Sequence, residues 1–201
     1  MNLVFLGMPG SGKGTQAQRY AREHGMHHYS SGDAYRDLLR DADPVATEMQ
    51  NVIAVGGFLP DHLPIRLLEK SLSQNGNVID GTPRTIAQAR MMERRGILVD
   101  KAIHFSLPAE INIERMRARR TCLSCHSIYG HNNPAPSLCC GKEPERRNDD
   151  RQESIPTKLH LYRKETFPLI GFYAAKGVLH VLDASNPPQK VYEDLCRIIG
   201  L

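Results

Sequence analysis

Nine residues near the start of the chain, Gly7 to Thr15, have the types and spacing of a phosphate-binding loop. They read GMPGSGKGT and match the pattern G-x-x-x-x-G-K, with Gly14 between the lysine and the hydroxyl residue. Glycines let backbone N–H groups surround an anion, and a helix that begins near Gly12 adds its positive end. Lys13 is then expected to contact the β- and γ-phosphates, and Thr15 to help position Mg²⁺. The alternative is a tight strand-to-helix turn with an exposed lysine.

A second group of chemically capable residues is the set of cysteines, four of which fall between Cys122 and Cys140. Five cysteines is an odd number, and without a sign of export the cluster favours a metal site over a disulfide framework. The sequence CLSC, which ends at Cys125, has the two-residue gap of a zinc knuckle. Cys139 and Cys140 are neighbours, and both can bind one ion only if the chain bends unusually. The alternative is a metal-free segment with leftover thiols. Cys196 is interpreted as a small buried hydrophobic residue.

Short apolar segments alternate with helix-like stretches along most of the chain. The predicted strands are Asn2–Leu6, His27–Tyr29, Val78–Asp80, Ala102–Leu107 and Val178–Leu182. The predicted helices are Gly12–His24, Asp33–Arg40, Leu63–Gln74, Thr85–Arg95, Glu110–Arg119 and Gln189–Ile199. Strands that alternate with helices imply right-handed crossovers. We therefore expect an α/β fold in which helices cover both faces of a parallel five-stranded sheet.

The segment from Thr121 to Asp150 breaks this alternation. It is rich in Cys, Pro, Asn and Arg and has no helical period, so we expect a lid or a small stapled subdomain there.

The chain of 201 residues suits one domain with insertions, and its net charge of +4 requires no nucleic acid. It has no apolar run of about 18 residues and no basic leader, so we expect a cytoplasmic protein without a membrane partner.

Several further motifs, in order along the chain, resemble those of the adenylate kinase family. GKGTQA within the loop is typical of that family, and YSSGDAYRDLL, GGFLPDHL and VIDGTPRTIAQA resemble its monophosphate-binding segments. The likeness continues through RMRARRTCLSC, RRNDD and YRKETFPLIGFYAAKG, so it spans essentially the whole chain. The resemblance implies the three-layer P-loop NTPase fold and reversible, Mg²⁺-dependent phosphoryl transfer from ATP to AMP, which gives two ADP. Such transfer depends on positioning and charge more than on covalent chemistry.

The resemblance also implies a division of the chain into three parts. The P-loop core would comprise residues 1–29, 60–118 and 151–201, the monophosphate-binding segment residues 30–59, and the lid residues 119–150. The two smaller parts would close over the nucleotides and exclude water. We expect a monomer whose partners are ATP, AMP and ADP.

By the same resemblance, a ring of cationic side chains would do the chemistry, because a guanidinium group binds phosphate through two hydrogen bonds and stays charged. The implied catalytic residues are Lys13, Arg84, Arg119, Arg147 and Lys158. The residues implied for ATP are Gly10, Ser11, Gly12, Lys13, Gly14, Thr15, Arg115, Arg119, Ile128, Tyr129 and Asn186. Those implied for AMP are Ser31, Arg36, Gly57, Phe58, Leu59, Gly81, Thr82, Pro83, Arg84, Gln88, Arg147 and Lys158.

Some of these residues have specific implied roles. Arg36 and Arg84 would hold the AMP phosphate, Arg115 would stack on the ATP base, and Gln88 would read the AMP base edge. Asp33 and Asp80 would orient Mg²⁺ through its waters. Taken singly, each arginine could be a solvent-facing helix charge, and Asp33 a helix N-cap.

Three positions depart from the family pattern. Thr82 stands where the family has phenylalanine in D-G-F-P-R, so the acceptor base would pack without that aromatic ring. Lys158 stands where a phosphate-binding arginine is expected, so charge is kept but the planar fork is lost. In the lid, Ser137 takes the expected third-ligand position of a zinc site, and His126 and His131 are substitute ligands. We expect zinc, if bound by Cys122, Cys125, Cys139 and Cys140, to be structural.

Other functions remain open from the sequence. A related nucleoside monophosphate kinase that accepts UMP or CMP, or that uses GTP, is the nearest alternative, and Thr82 motivates it. A regulatory module that binds ATP without transferring phosphate would not need the Arg36 and Arg84 sets. A zinc-ribbon protein that binds nucleic acid would use the lid and the arginines at 115–120, but it leaves the phosphate loop unexplained and lacks interleaved aromatic residues.

Overall fold

The structure is a computed structural model and describes residues 1–40, 60–122, 124–130, 134, 136–147, 150 and 152–200. The predictions for Gly57, Phe58, Leu59 and His131 lie outside the described residues. Within the described ranges, none of the helices is both long enough and apolar enough to span a bilayer.

A parallel sheet of five strands forms the centre of the molecule, as predicted. The strands are β1 (Asn2–Leu6), β2 (His27–Ser30), β3 (Asn77–Asp80), β4 (Lys101–Ser106), β5 (Arg120–Thr121), β6 (Ile128–Tyr129) and β7 (Leu179–Asp183). The central sheet has the order β2-β3-β1-β4-β7, and β5 and β6 form a separate pair. Asp80 lies opposite both Phe5 and Ser30 in the register. The carboxyl ends of β1, β2 and β3 therefore meet at one edge of the sheet.

Eight α-helices are described. They are α1 (Lys13–Glu23), α2 (Ser31–Arg40), α3 (His62–Ser71), α4 (Ile86–Arg94), α5 (Ala109–Ala118), α6 (Ser154–Leu161), α7 (Pro168–Ala175) and α8 (Pro188–Ile199). All but α6 and α7 correspond to predicted helices. Helix α4 begins where the sequence indicates because Thr85 is its N-cap, and the backbone N–H of Gln88 donates to the Thr85 hydroxyl at 3.0 Å.

Strand β1 shows why helices cover both faces of the sheet. Side chains alternate along a strand, so Leu3 and Phe5 join one buried cluster with α1 and α8. Val4 and Leu6 join a second cluster with α3, α4 and α7 on the opposite face. The two clusters hold the sheet rigidly between helices, with the loop after β1 at its edge.

The stretch from Ser154 to Ala175 is helical, which the sequence analysis did not predict. Helix α7 reads PLIGFYAA and is apolar almost all round, so it lacks the stripe of period 3.6 that marks an amphipathic helix. A π-helical turn, Tyr162–Thr166, separates it from α6, and the N–H of Phe167 donates to the carbonyl of Tyr162 at 2.8 Å. The wide turn interrupts the helical period as well.

The predicted lid contains little regular structure among its described residues. Strands β5 and β6 pair antiparallel, with Arg120 opposite Tyr129. Isolated bridges also link Thr121 to Glu145 and Cys139 to Lys142. This agrees with the absence of a helical period in the sequence.

Candidate functional site

The loop between β1 and α1 has the backbone geometry that its glycines suggested. Gly10 and Gly12 have φ values of 86° and 88°, in the left-handed region that favours glycine. A Cβ at Gly10 would lie 2.7 Å from the carbonyl oxygen of Asn112, so close packing also requires glycine. Among the described residues, no side chain caps α1 at Gly12. The first N–H groups of this helix are therefore suited to an anion.

Lys13, the first residue of α1, lies within a group of charges. Its Nζ is 4.0 Å from Oδ1 of Asp80, and the two side chains are 19% and 14% exposed. Burial lowers the pKa of Lys13, Asp80 opposes this effect, and Arg119, Arg84 and Arg147 lower the pKa further. One lysine therefore lies in the field of arginines from three separate parts of the chain.

Asp80 approaches the loop from the end of β3, next to β1 in the sheet. A Cβ on Gly14 would lie 3.0 Å from Oδ2 of Asp80 and 3.7 Å from Cδ1 of Ile128, which belongs to β6. The extra glycine after the lysine thus leaves space for a carboxylate and for a lid side chain. Thr15, the next residue of α1, is exposed.

Ser31, Gly81 and Arg84 form a connected cluster at the ends of β2 and β3. The Ser31 hydroxyl donates to the carbonyl of Gly81 at 2.9 Å, and Nε of Arg84 donates to the same carbonyl at 2.9 Å. Nη2 of Arg84 donates to Oγ of Ser31 at 3.2 Å. Gly81 has φ 82°, and a Cβ there would lie only 2.4 Å from Oγ of Ser31. The structure therefore brings together three of the residues implied for AMP.

Asp33 and Arg36 form an ion pair within α2. Burial raises the pKa of Asp33, but the Arg36 guanidinium, with a smaller contribution from His126, outweighs burial and leaves the pKa below its ordinary value. The N-cap expected of Asp33 is instead Ser30, because the N–H of Asp33 donates to the Ser30 hydroxyl at 3.2 Å and α2 begins at Ser31. Asp33 sits inside the first turn, where a negative charge favours the helix N-terminus.

Gln88 is almost fully buried, with 2% of its surface exposed. Its Oε1 accepts from the backbone N–H of Arg84 at 2.7 Å, and its Nε2 donates to Oδ1 of Asp61 at 2.9 Å. Both ends of the amide are thus engaged within the protein, in contacts that hold the backbone of Arg84. The implied role of Gln88 in reading a base edge stays a prediction.

Thr82 and Pro83, both buried, follow the same cluster. Thr82 is 1% exposed, and its hydroxyl is buried without a hydrogen-bond partner among the described residues. Burial raises the pKa of the nearby Tyr29 to about 12. An interaction with the Thr82 side chain and the charge of Arg84 both act to lower this pKa, but burial outweighs them. Tyr29 is itself 3% exposed. A tyrosine from β2 therefore packs near the position where the family pattern has a phenylalanine.

Arg119, Asp150 and Lys158 form a second charged cluster. Nε and Nη2 of Arg119 donate to the two carboxylate oxygens of Asp150 at 2.7 and 2.6 Å, and Nζ of Lys158 donates to Oδ1 at 3.0 Å. The Asp150 side chain is 0% exposed, Arg119 is 14% exposed and Lys158 is 21% exposed. Sequence reasoning did not single out Asp150. The sequence feature that could have indicated Asp150 is the RRNDD motif, in which two aspartates follow a pair of arginines.

Arg147 is held to the lid by Thr121. Nε of Arg147 donates to the Thr121 hydroxyl at 2.9 Å, and Thr121 is fully buried. The N–H of Asp150 also donates to the carbonyl of Arg147 at 3.0 Å. Arg147 and the cluster around Asp150 are therefore linked through the backbone.

Arg115 and Asn186 lie on the other side of the phosphate loop. Nη1 of Arg115 donates to the carbonyl of Ala184 at 3.1 Å and lies 4.0 Å from a Cβ built on Gly12. Burial lowers the pKa of Arg115. Asn186 donates from Nδ2 to Asp183 at 3.2 Å, in the loop after β7. Arg115 is thus adjacent to the loop, whereas the contact of Asn186 lies within the turn after β7.

The four lid cysteines come together, although two of them are neighbours in sequence. Their sulfur atoms all lie within 4.8 Å of one another. Cys140 has φ 50°, a left-handed conformation that supplies the unusual bend. Cys139 exchanges both backbone hydrogen bonds with Lys142, at 2.7 and 2.9 Å, and closes this turn.

This donor set fits zinc. Tetrahedral zinc thiolates with Zn–S of about 2.3 Å have sulfur atoms roughly 3.8 Å apart, and the Cys125–Cys139 and Cys139–Cys140 separations are 3.5 and 4.0 Å. Hydrogen bonding to Ser127 lowers the pKa of Cys125 to about 6, which favours the thiolate. The Tyr129 hydroxyl donates to the Cys139 sulfur at 3.0 Å.

Comparison with known proteins identifies similar chains. A family model described as "Adenylate kinase" matches residues 5–178. A curated relative from Geobacillus sp. (strain WCH70), named "Adenylate kinase", is 35% identical over 215 residues, which cover 100% of this chain and 99% of the relative. Relatives of the same name from Clostridium botulinum (strain Eklund 17B / Type B) and Thermodesulfovibrio yellowstonii are 32% identical over 213 residues and 34% identical over 212 residues. These two alignments cover 100% and 99% of this chain, and 99% of each relative.

Proposed function

This chain belongs to the adenylate kinase family, and we propose that it moves a phosphoryl group reversibly between ATP and AMP through the charged clusters described above. The observation that carries the proposal is the convergence on Lys13. Arg84 from the proposed acceptor side and Arg119 and Arg147 from the proposed lid all act on the pKa of this one lysine. A site that holds the triphosphate of ATP against the phosphate of AMP needs such a concentration of positive charge.

The donor nucleotide would occupy the phosphate loop. Backbone N–H groups from Gly10 to Thr15, at the start of α1, would bind the phosphates of ATP. Arg115 and Asn186 would flank its base, and Ile128 would cover the loop from the lid. Tyr129 would contribute to the ATP site by stabilising the lid strand, because its hydroxyl donates to the sulfur of Cys139.

The acceptor would lie across the cluster of Ser31, Gly81 and Arg84. Arg84 and Arg36 would bind its phosphate, and Arg147 and Lys158 would approach the transferring group from the lid side. Asp150 would hold Arg119 and Lys158 in place, because both donate to its buried carboxylate. The remaining residues implied for AMP are Gly57, Phe58, Leu59, Thr82, Pro83 and Gln88.

Mg²⁺ bound with ATP would neutralise charge on the phosphates during transfer. Asp80 fits this role because its carboxylate lies beside Gly14, and its Oδ1 has no hydrogen-bond partner among the described residues. Asp33 would contribute through water, as Mg²⁺ keeps several of its waters. No covalent phosphoenzyme is required, because the two nucleotides would react directly.

We further propose that the lid binds one structural zinc ion through Cys122, Cys125, Cys139 and Cys140. Four thiolates leave no open coordination position, so zinc would staple the segment and take no part in chemistry. Reduced thiols suit a cytoplasmic location. Because one chain supplies both nucleotide sites, the enzyme is proposed to work as a monomer.

A coupled assay of ADP formation tests the proposed reaction. ATP is supplied with AMP, UMP, CMP or GMP, each with Mg²⁺ and with excess chelator. We expect AMP to be the fastest acceptor, the chelator to abolish turnover, and added Mg²⁺ to restore it. Faster turnover with UMP or CMP would favour the pyrimidine-accepting alternative, which the buried, non-aromatic Thr82 motivates.

Binding of a dinucleoside polyphosphate tests the two-site arrangement. Such a molecule bridges both sites, so its affinity should fall when Arg84 is changed to Ala. Arg90→Ala is the matched control, because Arg90 is exposed on α4 and lies outside the cluster. Equal loss in both variants would contradict the proposed acceptor site.

A further inference from the structure

His126, the residue after the second cysteine of the knuckle, contacts helix α2. Its Nδ1 lies 3.2 Å from Oδ1 of Asp33, and its Nε2 lies 3.4 Å from Oδ1 of Asp37. The His126 side chain is 22% exposed. Residues four apart share a face of a helix, so one imidazole ring reaches both carboxylates.

The backbone at His126 is shaped for this contact. Its φ is 59°, in the left-handed region, which residues other than Gly adopt rarely and in which Asn, Asp and His are the most frequent of the others. The N–H of His126 donates to the carbonyl of Cys122 at 2.9 Å, which closes the knuckle turn. This left-handed turn directs the His126 side chain towards Asp33 and Asp37.

The contact joins two parts of the site that lie far apart in sequence. Cys122 and Cys125 belong to the lid segment, whereas Asp33 and Asp37 lie on α2, in the proposed monophosphate-binding part. A cavity of about 240 Å³ lies beside the contact and is lined by residues of α1, β2, α2, α3 and the lid turn. His126 therefore lines this cavity and contacts α2 beside it.

We propose that His126 is a positioning residue that latches the lid onto α2 and holds the Asp33 carboxylate, both in the nucleotide-free protein and when the nucleotides are enclosed. The proposal rests on the proposed function, because it assumes that lid and α2 close over ATP and AMP. With the ring against both carboxylates, closure of the lid over the donor also favours closure of α2 over the acceptor. The knuckle turn sets the direction of the ring, so an intact cysteine cluster supports the latch.

The test variant is His126→Gly, which removes the ring and suits the left-handed backbone, so the fold should persist. We expect the KM for AMP to rise about two- to fivefold, the range for loss of one partly exposed polar side-chain contact. The kcat should stay equal or rise, because lid opening and product release often limit turnover. His160→Ala, at an exposed position of α6, is the control and should leave both constants unchanged. An unchanged KM for AMP in His126→Gly, with zinc content equal to wild type, would overturn the proposal.

A double-mutant cycle with Asp37→Asn identifies the partner. If the latch is correct, Asp37→Asn raises the KM for AMP by less than His126→Gly, because the Asp33 contact remains. The double variant then behaves like His126→Gly alone. Fully additive effects would contradict a direct contact.

Amide NMR shifts of the nucleotide-free protein provide a readout independent of activity. Asp37→Asn should shift resonances of residues 124–130, and His126→Gly should shift those of residues 33–37. Absence of both effects would overturn the latch even if the enzyme is active. Conversely, a wild type that forms no ADP from ATP and AMP would refute the proposed function, whereas the shifts would still report the contact.

Discussion

Arg119 and Asp150 form a bidentate ion pair across the base of the lid, with Nε to Oδ2 at 2.7 Å and Nη2 to Oδ1 at 2.6 Å. The carboxylate is completely buried and also accepts from Lys158. A buried charge is tolerated only when it is paired and hydrogen-bonded. Asp150 therefore fixes the positions of two cationic side chains, Arg119 and Lys158, that are proposed to bind phosphate.

Changing Asp150 to Asn should impair both stability and turnover. It would leave Arg119 and Lys158 without their shared counter-charge, and we expect a loss of about 2 kcal/mol in the free energy of unfolding, because the cations are partly exposed. Turnover should fall at least tenfold. Urea denaturation and the ADP assay measure the two effects. Glu143→Gln, an exposed lid carboxylate, should change stability by less than about 0.5 kcal/mol; similar losses in both variants would contradict the ordering role.

Binding of ATP should weaken as the pH rises through the lowered pKa of Lys13, that is, at a lower pH than for an ordinary lysine. Burial lowers the pKa of Lys13 from 10.5 in the nucleotide-free protein, and the proposed phosphate contact requires the charged form. The unfolded chain binds the proton more readily between the lowered pKa and 10.5, so stability should rise with pH across this interval. Titration calorimetry across the alkaline range measures the affinity. Lys13→Met should bind ATP weakly at every pH and lose this pH dependence. Lys70→Met, at an exposed site on α3, should retain it.

Lys158→Arg should preserve or improve turnover. The guanidinium group can keep the bond to Asp150 and still present a second donor to phosphate, whereas Lys158 offers a single ammonium group. Lys158→Met should reduce turnover, because it removes the charge. The measurement is kcat with ATP and AMP. A large drop in the arginine variant would mean that Lys158 does not correspond to the phosphate-binding arginine of the family.

Purified protein should contain about one zinc ion per chain. Cys125→Ser should reduce the zinc content and lower the Tm by roughly 4 to 8 °C, equivalent to about 2 kcal/mol for a chain of this size. Cys196→Ser is the matched control, because Cys196 lies on α8, partly buried against the core and away from the cluster. It should retain zinc. A stoichiometry near zero in wild-type protein would refute the zinc site.

Thr82 should tolerate loss of its hydroxyl better than gain of a ring. Its Oγ1 is buried without a hydrogen-bond partner among the described residues, so Thr82→Val should be neutral or stabilising by up to about 1 kcal/mol. Thr82→Phe should cost about 1–3 kcal/mol, because Tyr29 packs nearby and the site is closed. Chemical denaturation measures both. A stable Thr82→Phe variant would show that the pocket still has room for the family's aromatic residue.

The sequence alone determined the parallel sheet, six of the eight described helices and the phosphate loop. These features depend on local rules: alternation of apolar runs, helical period, and glycine at positions of positive φ such as Gly10 and Gly12. Even the weakly patterned strand β2 was predicted. The helices from Ser154 to Ala175 were missed, because α7 is apolar on nearly every side and a π-helical turn interrupts the period.

Only the tertiary structure decided which charges face one another. Asp150 meets Arg119 across 31 positions of sequence, and Arg84 meets Ser31 across 53. His126 reaches α2 from a different part of the chain, and the buried amide of Gln88 turns to the backbone of Arg84. Local patterns carry no information about such partners, because the partners are brought together by the packing of helices on the sheet. Motifs in the sequence therefore indicated the chemistry, whereas the folded chain selected the pairs of residues that can perform it.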